Sequence, residues 1–181
     1  MMTPKLHAGA DFPALPVHSD DAVVDISTPA GVADWRMVVV YRGRHCPLCT
    51  KFLNNLTGFR ERLADIGIDL VAVSGDSREQ LEEHRSRLDV NFPLYHGLTQ
   101  AQMLELGLYV SIPRSEQETD HNFAEPGLFV INAEHAIQVV DLSNNPFVRP
   151  ALEQLVSGLE WIRNPENNYP IRGTWPQQQA A

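Results

Sequence analysis

One stretch of sequence decides the fold: residues 36–49, which read RMVVVYRGRHCPLC. Its first six residues form a short run rich in β-branched side chains, which is typical of a strand buried on both faces. Beyond the cysteines, one face of a predicted helix carries the apolar side chains of Phe52, Leu56, Phe59 and Leu63. The pair Cys46 and Cys49 therefore lies where a buried strand turns into a helix.

Strands and helices alternate along the rest of the predicted chain. The pattern predicts a strand at 68–74, followed by a helix from the capping box Ser77–Gln80 to about Leu88. A short strand at 91–95 and a short helix at 99–106, which ends before Gly107, come next. The last predicted elements are a hairpin of strands 128–131 and 136–140 and a helix at 152–162 with Pro150 in its first turn. Residues 1–30, 111–125 and 164–181 are expected to be irregular. This order predicts one α/β domain over residues 1–181, with a central mixed sheet flanked by helices.

Composition excludes several classes of function. The 181 residues are 43% hydrophobic and 20% charged, an ordinary globular mixture, and carry a formal net charge of −9. A nucleic-acid-binding protein would need a basic surface to displace counterions from phosphates. Residues 37–41 are the longest early apolar run and are too short to cross a bilayer, and residues 1–7 contain no apolar stretch of signal-peptide length. We expect a cytoplasmic protein that binds neither nucleic acid nor membrane.

The spacing of Cys46 and Cys49 indicates thiol chemistry. The thiolate is the nucleophile, and the free N–H groups and dipole at a helix N-terminus favour the anion. Arg42, Arg44 and a protonated His45 would add positive potential there. Because two residues separate the cysteines, both sulfurs can meet across the first turn, so that one attacks and the other resolves the product as a disulfide.

Other interpretations of the cysteine pair stay open at this stage. A lone C-x-x-C can be half of a zinc site, but there is no second pair, and the remaining histidines lack H-x₃₋₅-H spacing. A copper site of two cysteines and His45 and a pair of inert core cysteines are further alternatives. Among these readings we expect redox chemistry, with no metal and no cofactor.

Several segments carry a resemblance to a known family. Residues 70–77 (LVAVSGDS), 91–94 (NFPL), 126–131 (PGLFVI) and 145–149 (NPFVR) are similar to the alkyl hydroperoxide reductase/thiol-specific antioxidant (AhpC/TSA) family, the peroxiredoxins of the thioredoxin-fold superfamily. The likeness runs from about Phe12 to about Ile162. It implies a thioredoxin-like fold, in which Pro126 lies near the position of a cis-proline.

The resemblance is partial at the active site. Laid without gaps on the family signature Pro-x-x-x-Thr-x-x-Cys, the catalytic cysteine falls on Cys49, the threonine on Cys46 and the proline on Arg42. The sequence thus looks like a thioredoxin C-x-x-C on a peroxiredoxin frame. The family has two arginines that stabilise the thiolate and polarise the peroxide O–O bond. One corresponds to Gln138 here, and the other survives as Arg149.

The resemblance implies a thiol peroxidase that reduces hydroperoxides, is restored by thioredoxin or glutathione, and forms a homodimer. The likeness to peroxiredoxins implies that Cys49 is the attacking thiolate. The likeness to thioredoxin implies instead that Cys46 attacks, and helix geometry exposes Cys46 more readily. A thiol–disulfide oxidoreductase acting on protein disulfides is the alternative, and a redox sensor, metal-binding or interaction domain is a third. The expected catalytic residues are Cys46, Cys49 and Arg149, and the expected supporting residues are Arg42, Arg44, His45 and Pro126.

Overall fold

The structure, a computed structural model, describes residues 4–20 and 22–175. Its strands are β1 (Pro16–His18), β2 (Val23–Asp25), β3 (Trp35–Val40), β4 (Ile68–Val73), β5 (Leu94–Tyr95), β6 (Val110–Ser111), β7 (Phe123–Ala124), β8 (Gly127–Ile131) and β9 (Ile137–Leu142). Its α-helices are α1 (Pro47–Leu56), α2 (Arg60–Asp65), α3 (Arg78–Arg85), α4 (Gln100–Glu105) and α5 (Leu152–Arg163). Among the described residues, none of these helices combines the length and apolar character needed to span a membrane.

A mixed sheet of five strands in the order β5-β4-β3-β8-β9 forms the centre of the molecule. Strands β3, β4 and β5 run parallel, and β8 runs antiparallel to both β3 and β9. At the centre, Val38 of β3 pairs with Val71 on one side and Phe129 on the other. The predicted α/β architecture with a central mixed sheet is confirmed.

The two faces of β3 enter two different hydrophobic cores. Met37, Val39 and Tyr41 pack towards the helical side, where α1, α2, α3 and α5 contribute apolar residues including Leu53 and Leu159. Side chains in a strand alternate between faces, so the intervening residues of β3 pack on the opposite side. There they meet α4 and the N-terminal segment. Both cysteines belong to the helical-side core.

Two predicted helices differ in detail. The single helix expected after the cysteines ends at Leu56, continues as a 3₁₀ turn over Thr57–Phe59, and resumes as α2. Thr57 and Gly58 both have low helix propensity, which accounts for the interruption. Pro150, expected in the first turn of the last helix, lies outside it, because α5 begins at Leu152 with Ala151 as its N-cap.

Short strands occur in segments expected to be irregular. In residues 1–30, β1 pairs with β2, and in residues 111–125, β7 pairs with β6. Strands of two or three residues carry too little periodicity to be recognised in the sequence. A 3₁₀ turn lies within residues 164–181. Residues 1–3, 21 and 176–181 of these segments lie outside the described part of the chain.

Leu53 supports the helix that carries the cysteines, and its removal tests that role. Its side chain is fully buried between α1 and the sheet. We expect Leu53→Ala to lower the free energy of unfolding by about 2 to 5 kcal/mol, the usual cost of a cavity in a core. Leu48→Ala on the same helix removes an exposed side chain and is expected to change it by less than about 0.5 kcal/mol. Urea titration of both variants gives the comparison, and equal losses would contradict this packing.

Candidate active site

Cys46 and Cys49 lie at the first turn of α1. Cys46 is the N-cap residue, and its sulfur accepts a hydrogen bond from the Cys49 backbone N–H at 3.2 Å. The sulfur thus takes the part that a serine or aspartate oxygen plays at other N-caps. Pro47 follows at the first helical position, where its missing N–H costs nothing. Cys46 and Cys49 approach each other to 2.5 Å, and neither forms a disulfide bond.

Burial is the property of this pair that the sequence did not indicate. Cys46 is only 2% exposed and Cys49 is 0% exposed. The expectation that helix geometry exposes Cys46 is therefore wrong. Residues packed around the first turn cover the sulfur, although its neighbours Pro47 and Leu48 are exposed.

The loop between β3 and α1 is shaped by Gly43. This residue has a φ of +133°, a conformation that side chains disfavour. A Cβ atom on it would overlap the carboxylate of Asp76. That carboxylate accepts the Arg44 backbone N–H at 2.8 Å, and the Cys46 backbone N–H donates to the Gly43 carbonyl at 3.1 Å. Asp76 and Gly43 together set the path by which the chain enters α1.

Arg149 reaches the cysteine pair from a segment 100 residues away in sequence. Its Nη2 donates to Cys49 Sγ at 2.8 Å, and its guanidinium lies 4.7 Å from the centre of the Phe52 ring. Its Nε and Nη1 atoms are buried without a hydrogen-bond partner among the described residues. The structure thus brings the three expected catalytic residues together, with two donors of Arg149 still unused.

The two thiols have opposite pKa shifts. The pKa of Cys46 is lowered to about 6, first by the hydrogen bond from the Cys49 thiol, then by the Cys49 backbone N–H and the positive charge of Arg149 and Arg42, against the effect of burial. The pKa of Cys49 is raised, first by burial and next by its hydrogen bond to Cys46. These opposite directions favour one thiolate in the pair, with Cys46 as its site and the proton on Cys49.

Arg42 and Arg44 are engaged with carboxylates. Arg42 lies between Glu125, at 3.4 Å, and Glu118, at 3.7 Å. The Arg44 side chain forms a salt bridge of 2.9 Å with the exposed side chain of Glu83. Arg42 lowers the pKa of Cys46 less than Arg149 does.

His45 does not add positive charge at neutral pH. Its ring packs against Phe123 with 4.5 Å between the ring centres, and its pKa is lowered to about 4, mainly by burial and next by Arg42. The expectation of a protonated imidazole beside the cysteines is therefore wrong. Both ring nitrogens lack a hydrogen-bond partner among the described residues.

Pro126 is buried beside Arg149. The described residues contain no cis peptide bond, so the bond before Pro126 is trans. Its side chain lines a cavity of about 10 Å³ together with Phe52, Asp141 and Arg149. This space is comparable to that of one water molecule.

Gln138 does not lie at the site. In the sheet, Val40 at the cysteine end of β3 aligns with Gly127, which aligns with Leu142 of β9. Gln138 lies at the other end of β9, where its side chain accepts a hydrogen bond from Asn132. The alignment pairs Gln138 with a family arginine, but its side chain lies at the end of the sheet away from the cysteines.

Two buried groups near the cysteines escaped the sequence analysis. His84 is fully buried, and its Nε2 lies 2.8 Å from Thr50 Oγ1, which donates to the Cys46 carbonyl. Asp76, fully buried, faces His121. The sequence marked the turn at residues 74–77 but not the burial of Asp76, and no local pattern places His84 of α3 beside the helix that carries the cysteines. The described residues hold no cluster of three or more His, Cys, Asp or Glu side chains arranged to bind a metal.

Comparisons with known proteins give a family and a fold. Residues 8–140 match the model of the AhpC/TSA family, whereas no curated protein matches the sequence. A variant of peroxiredoxin 6 from Arenicola marina is 16% identical with a TM-score of 0.71, covering 87% of this chain and 74% of that one. AhpC of Mycobacterium tuberculosis is 15% identical with a TM-score of 0.69, covering 90% and 96%. At these identities the structural likeness shows a shared peroxiredoxin fold of the thioredoxin-like type.

The charge on Cys46 can be measured directly. Because its pKa is lowered to about 6, the thiolate is expected to persist at neutral pH and to be lost as the pH falls through about 6. Titration of the ultraviolet thiolate absorbance of the reduced protein checks this, with Cys46→Ser as the control. A single transition near the ordinary thiol value of 9.0 would contradict it.

The positive charge of Arg149 lowers the pKa of Cys46 although its Nη2 donates to the Cys49 sulfur. Arg149→Ala is expected to raise the pKa of Cys46, because the variant removes a positive charge at the pair while the desolvation by burial remains. The same absorbance titration reports the shift. Arg172→Ala, which removes an exposed guanidinium that lies over the Tyr169 ring, is the matched control and is expected to leave the titration unchanged. An unshifted titration in Arg149→Ala would remove this role.

Proposed function

Since the chain belongs to the AhpC/TSA family, we propose that it reduces a small hydroperoxide with Cys46 and Cys49. The family is one of thiol-dependent oxidoreductases. The observation that carries the proposal is a buried pair of neighbouring cysteines, with a nitrogen of Arg149 2.8 Å from the Cys49 sulfur. This arrangement has a nucleophile, a resolving group and a charged donor within one site.

Burial of the sulfurs favours a small substrate. A disulfide on the surface of a folded protein needs an exposed attacking sulfur, and Cys46 is nearly inaccessible. A hydroperoxide is only a few atoms long and needs a much smaller opening. The buried pair therefore supports a peroxidase over a thiol–disulfide oxidoreductase acting on proteins.

The proposed reaction has two steps. The Cys46 thiolate attacks one peroxide oxygen, the O–O bond breaks, and the leaving alkoxide or hydroxide takes up a proton, so that Cys46 becomes a sulfenic acid. The Cys49 thiol then attacks the sulfenic sulfur, the S–O bond breaks, and water leaves with the Cys49 proton as the disulfide forms. The two unpartnered donors of Arg149 are suited to bind peroxide oxygens as negative charge develops on them.

An external thiol completes the cycle. We propose that an external thiol reduces the Cys46–Cys49 disulfide by thiol–disulfide exchange. Because the pair is buried, glutathione suits it as a small reductant, whereas thioredoxin would need the first turn of α1 to open. A cytoplasmic setting fits this cycle, because its glutathione and thioredoxin pools keep thiols reduced. The homodimer implied by the family resemblance stays a prediction.

Serine variants separate the roles of the two cysteines. We expect Cys49→Ser to react with hydrogen peroxide and to stop at a product one oxygen heavier, because no thiol remains to resolve the sulfenic acid. Cys46→Ser is expected to lose the fast reaction, since Cys49 keeps its proton at pH 7. Rapid quenching with intact-mass analysis distinguishes these products. The opposite pattern would assign the attack to Cys49, and a wild-type rate no faster than that of a free thiol would overturn the peroxidase.

A further inference from the structure

One side of α1 carries a row of polar side chains, those of Thr50, Asn54 and Thr57. Residues spaced three or four apart lie on the same face of a helix. All of them bond to residues 84–89, which run from the end of α3 into the segment that follows it. We call these bonds the polar seam. The seam joins α1 to α3 from the first helical turn, beside the cysteines, to Thr57, which caps the end of the helix.

The two ends of the polar seam differ in burial. At the far end, Thr57 Oγ1 donates to the Asp89 carbonyl at 3.1 Å, and Asn54 Oδ1 accepts the Asp89 N–H at 2.8 Å, both at the surface. At the end near the cysteines, Thr50 Oγ1 lies 2.8 Å from Nε2 of His84, whose side chain is fully buried. The bond with least access to water is therefore the one closest to the active site.

The Thr50 hydroxyl connects His84 to the backbone of Cys46. It donates to the Cys46 carbonyl at 3.3 Å, so its oxygen accepts a hydrogen from His84 Nε2. Burial and next the charge of Arg87 lower the pKa of His84 to about 4, so the ring is neutral at pH 7. With its hydrogen on Nε2, the ring has no unpaired N–H, because Nδ1, which lacks a partner among the described residues, is then a bare nitrogen.

The Cys46 carbonyl organises the first turn of α1. It accepts the backbone N–H groups of Cys49 and Thr50, each at 3.1 Å, in addition to the Thr50 hydroxyl. In the same turn, the Cys46 sulfur accepts a hydrogen bond from the Cys49 N–H. A side chain that fixes this carbonyl therefore also fixes the arrangement of the two cysteines.

The first turn of α1 faces solvent. Pro47 and Leu48, which lie between the two cysteines in the sequence, are exposed, whereas Cys46 and Cys49 are almost completely buried. The end of a helix is the part that opens at the lowest cost in free energy. A bulky reactant can reach the sulfurs only when this turn opens, so whatever holds the turn closed also selects among reactants by size.

We propose that His84 and Thr50 are positioning residues that keep the first turn of α1 closed and thereby restrict the cysteine pair to small reactants. They have this role because their bond lies at the buried end of the polar seam and continues to the backbone of Cys46. The selection among oxidants rests on the proposed peroxidase function, whereas the closure of the turn does not. Without the bond the turn opens more often, while Asn54 and Thr57 still hold the rest of α1.

Two maleimides of different size measure the opening. N-ethylmaleimide is small, and the same group on a polyethylene glycol chain is bulky, so the ratio of their rates with the reduced protein reports access rather than thiol reactivity. We expect Thr50→Val, which keeps the branched shape but loses the hydroxyl, to raise the bulky-to-small ratio by about two- to tenfold, the effect of losing one hydrogen bond. Thr50→Ser keeps the hydroxyl and is expected to give the wild-type ratio.

Thr57→Val is the matched control for position on the helix. It removes the same kind of hydroxyl bond from the exposed end of the polar seam and is expected to leave the ratio unchanged. A second pair of variants tests the histidine. His84→Gln can place an amide N–H where Nε2 lies and is expected to keep the wild-type ratio. His84→Asn is polar but too short to reach Thr50, and it is expected to raise the ratio as Thr50→Val does.

The maleimide outcomes do not depend on peroxide. An unchanged ratio in Thr50→Val or in His84→Asn overturns the proposal, and so does an equal rise in Thr57→Val, which would indicate general loosening of α1. A rise in Thr50→Ser or His84→Gln as large as that in its partner variant assigns the effect to packing and overturns it as well.

Hydroperoxides of two sizes test the selection among oxidants. In a wild type that reacts rapidly with hydrogen peroxide, Thr50→Val is expected to raise the ratio of the rate with cumene hydroperoxide to the rate with hydrogen peroxide. An unchanged ratio overturns the selection by size. A wild type that reacts slowly with both overturns the proposed peroxidase function, and the maleimide ratios still decide whether Thr50 and His84 close the turn.

Discussion

The hydrogen bond between two buried sulfurs is the interaction on which the rest of this site depends. A thiolate removed from water is strongly disfavoured unless several donors compensate it. Cys46 accepts hydrogen bonds from the Cys49 thiol and the Cys49 backbone N–H, and it lies near the charge of Arg149. Each donor comes from a different level of structure, namely a side chain, a helix terminus and a distant loop. The first two act directly on the Cys46 sulfur, whereas Arg149 acts through its charge while it donates to the Cys49 sulfur.

The architecture serves to bring these donors together. Strand β3 lies in the middle of the sheet, so the loop that follows it opens where several segments converge. Gly43 and Asp76 set the path of that loop, and the turn after β9 delivers Arg149 to the opposite side of the pair. Charges that are not needed at the sulfur are neutralised elsewhere, as Arg42 is between Glu118 and Glu125. The result is a small and nearly closed centre.

Periodicity predicted the elements with strong patterns and missed the weak ones. β3 and β4 were recognisable because each is a run of buried β-branched residues, and the capping box of α3 was recognisable because its two partners are three residues apart. The pairs β1–β2 and β6–β7 escaped because strands so short depend on neighbours rather than on their own pattern. The break at Thr57 and Gly58 was missed because the apolar stripe continues through the 3₁₀ turn, so the stripe alone predicts one uninterrupted helix.

The sequence by itself determined the order of the main elements and the location of the cysteines at a helix N-terminus, since both follow from patterns within a few residues. The tertiary structure alone decided the burial of both sulfurs, the neutral state of His45 and the removal of Gln138 to the far end of the sheet. It also decided that Asp76 lies against His121 and that Arg149 touches Cys49. The physical reason is that burial, charge compensation and pKa arise from contacts between segments up to 100 residues apart, which no local spacing encodes.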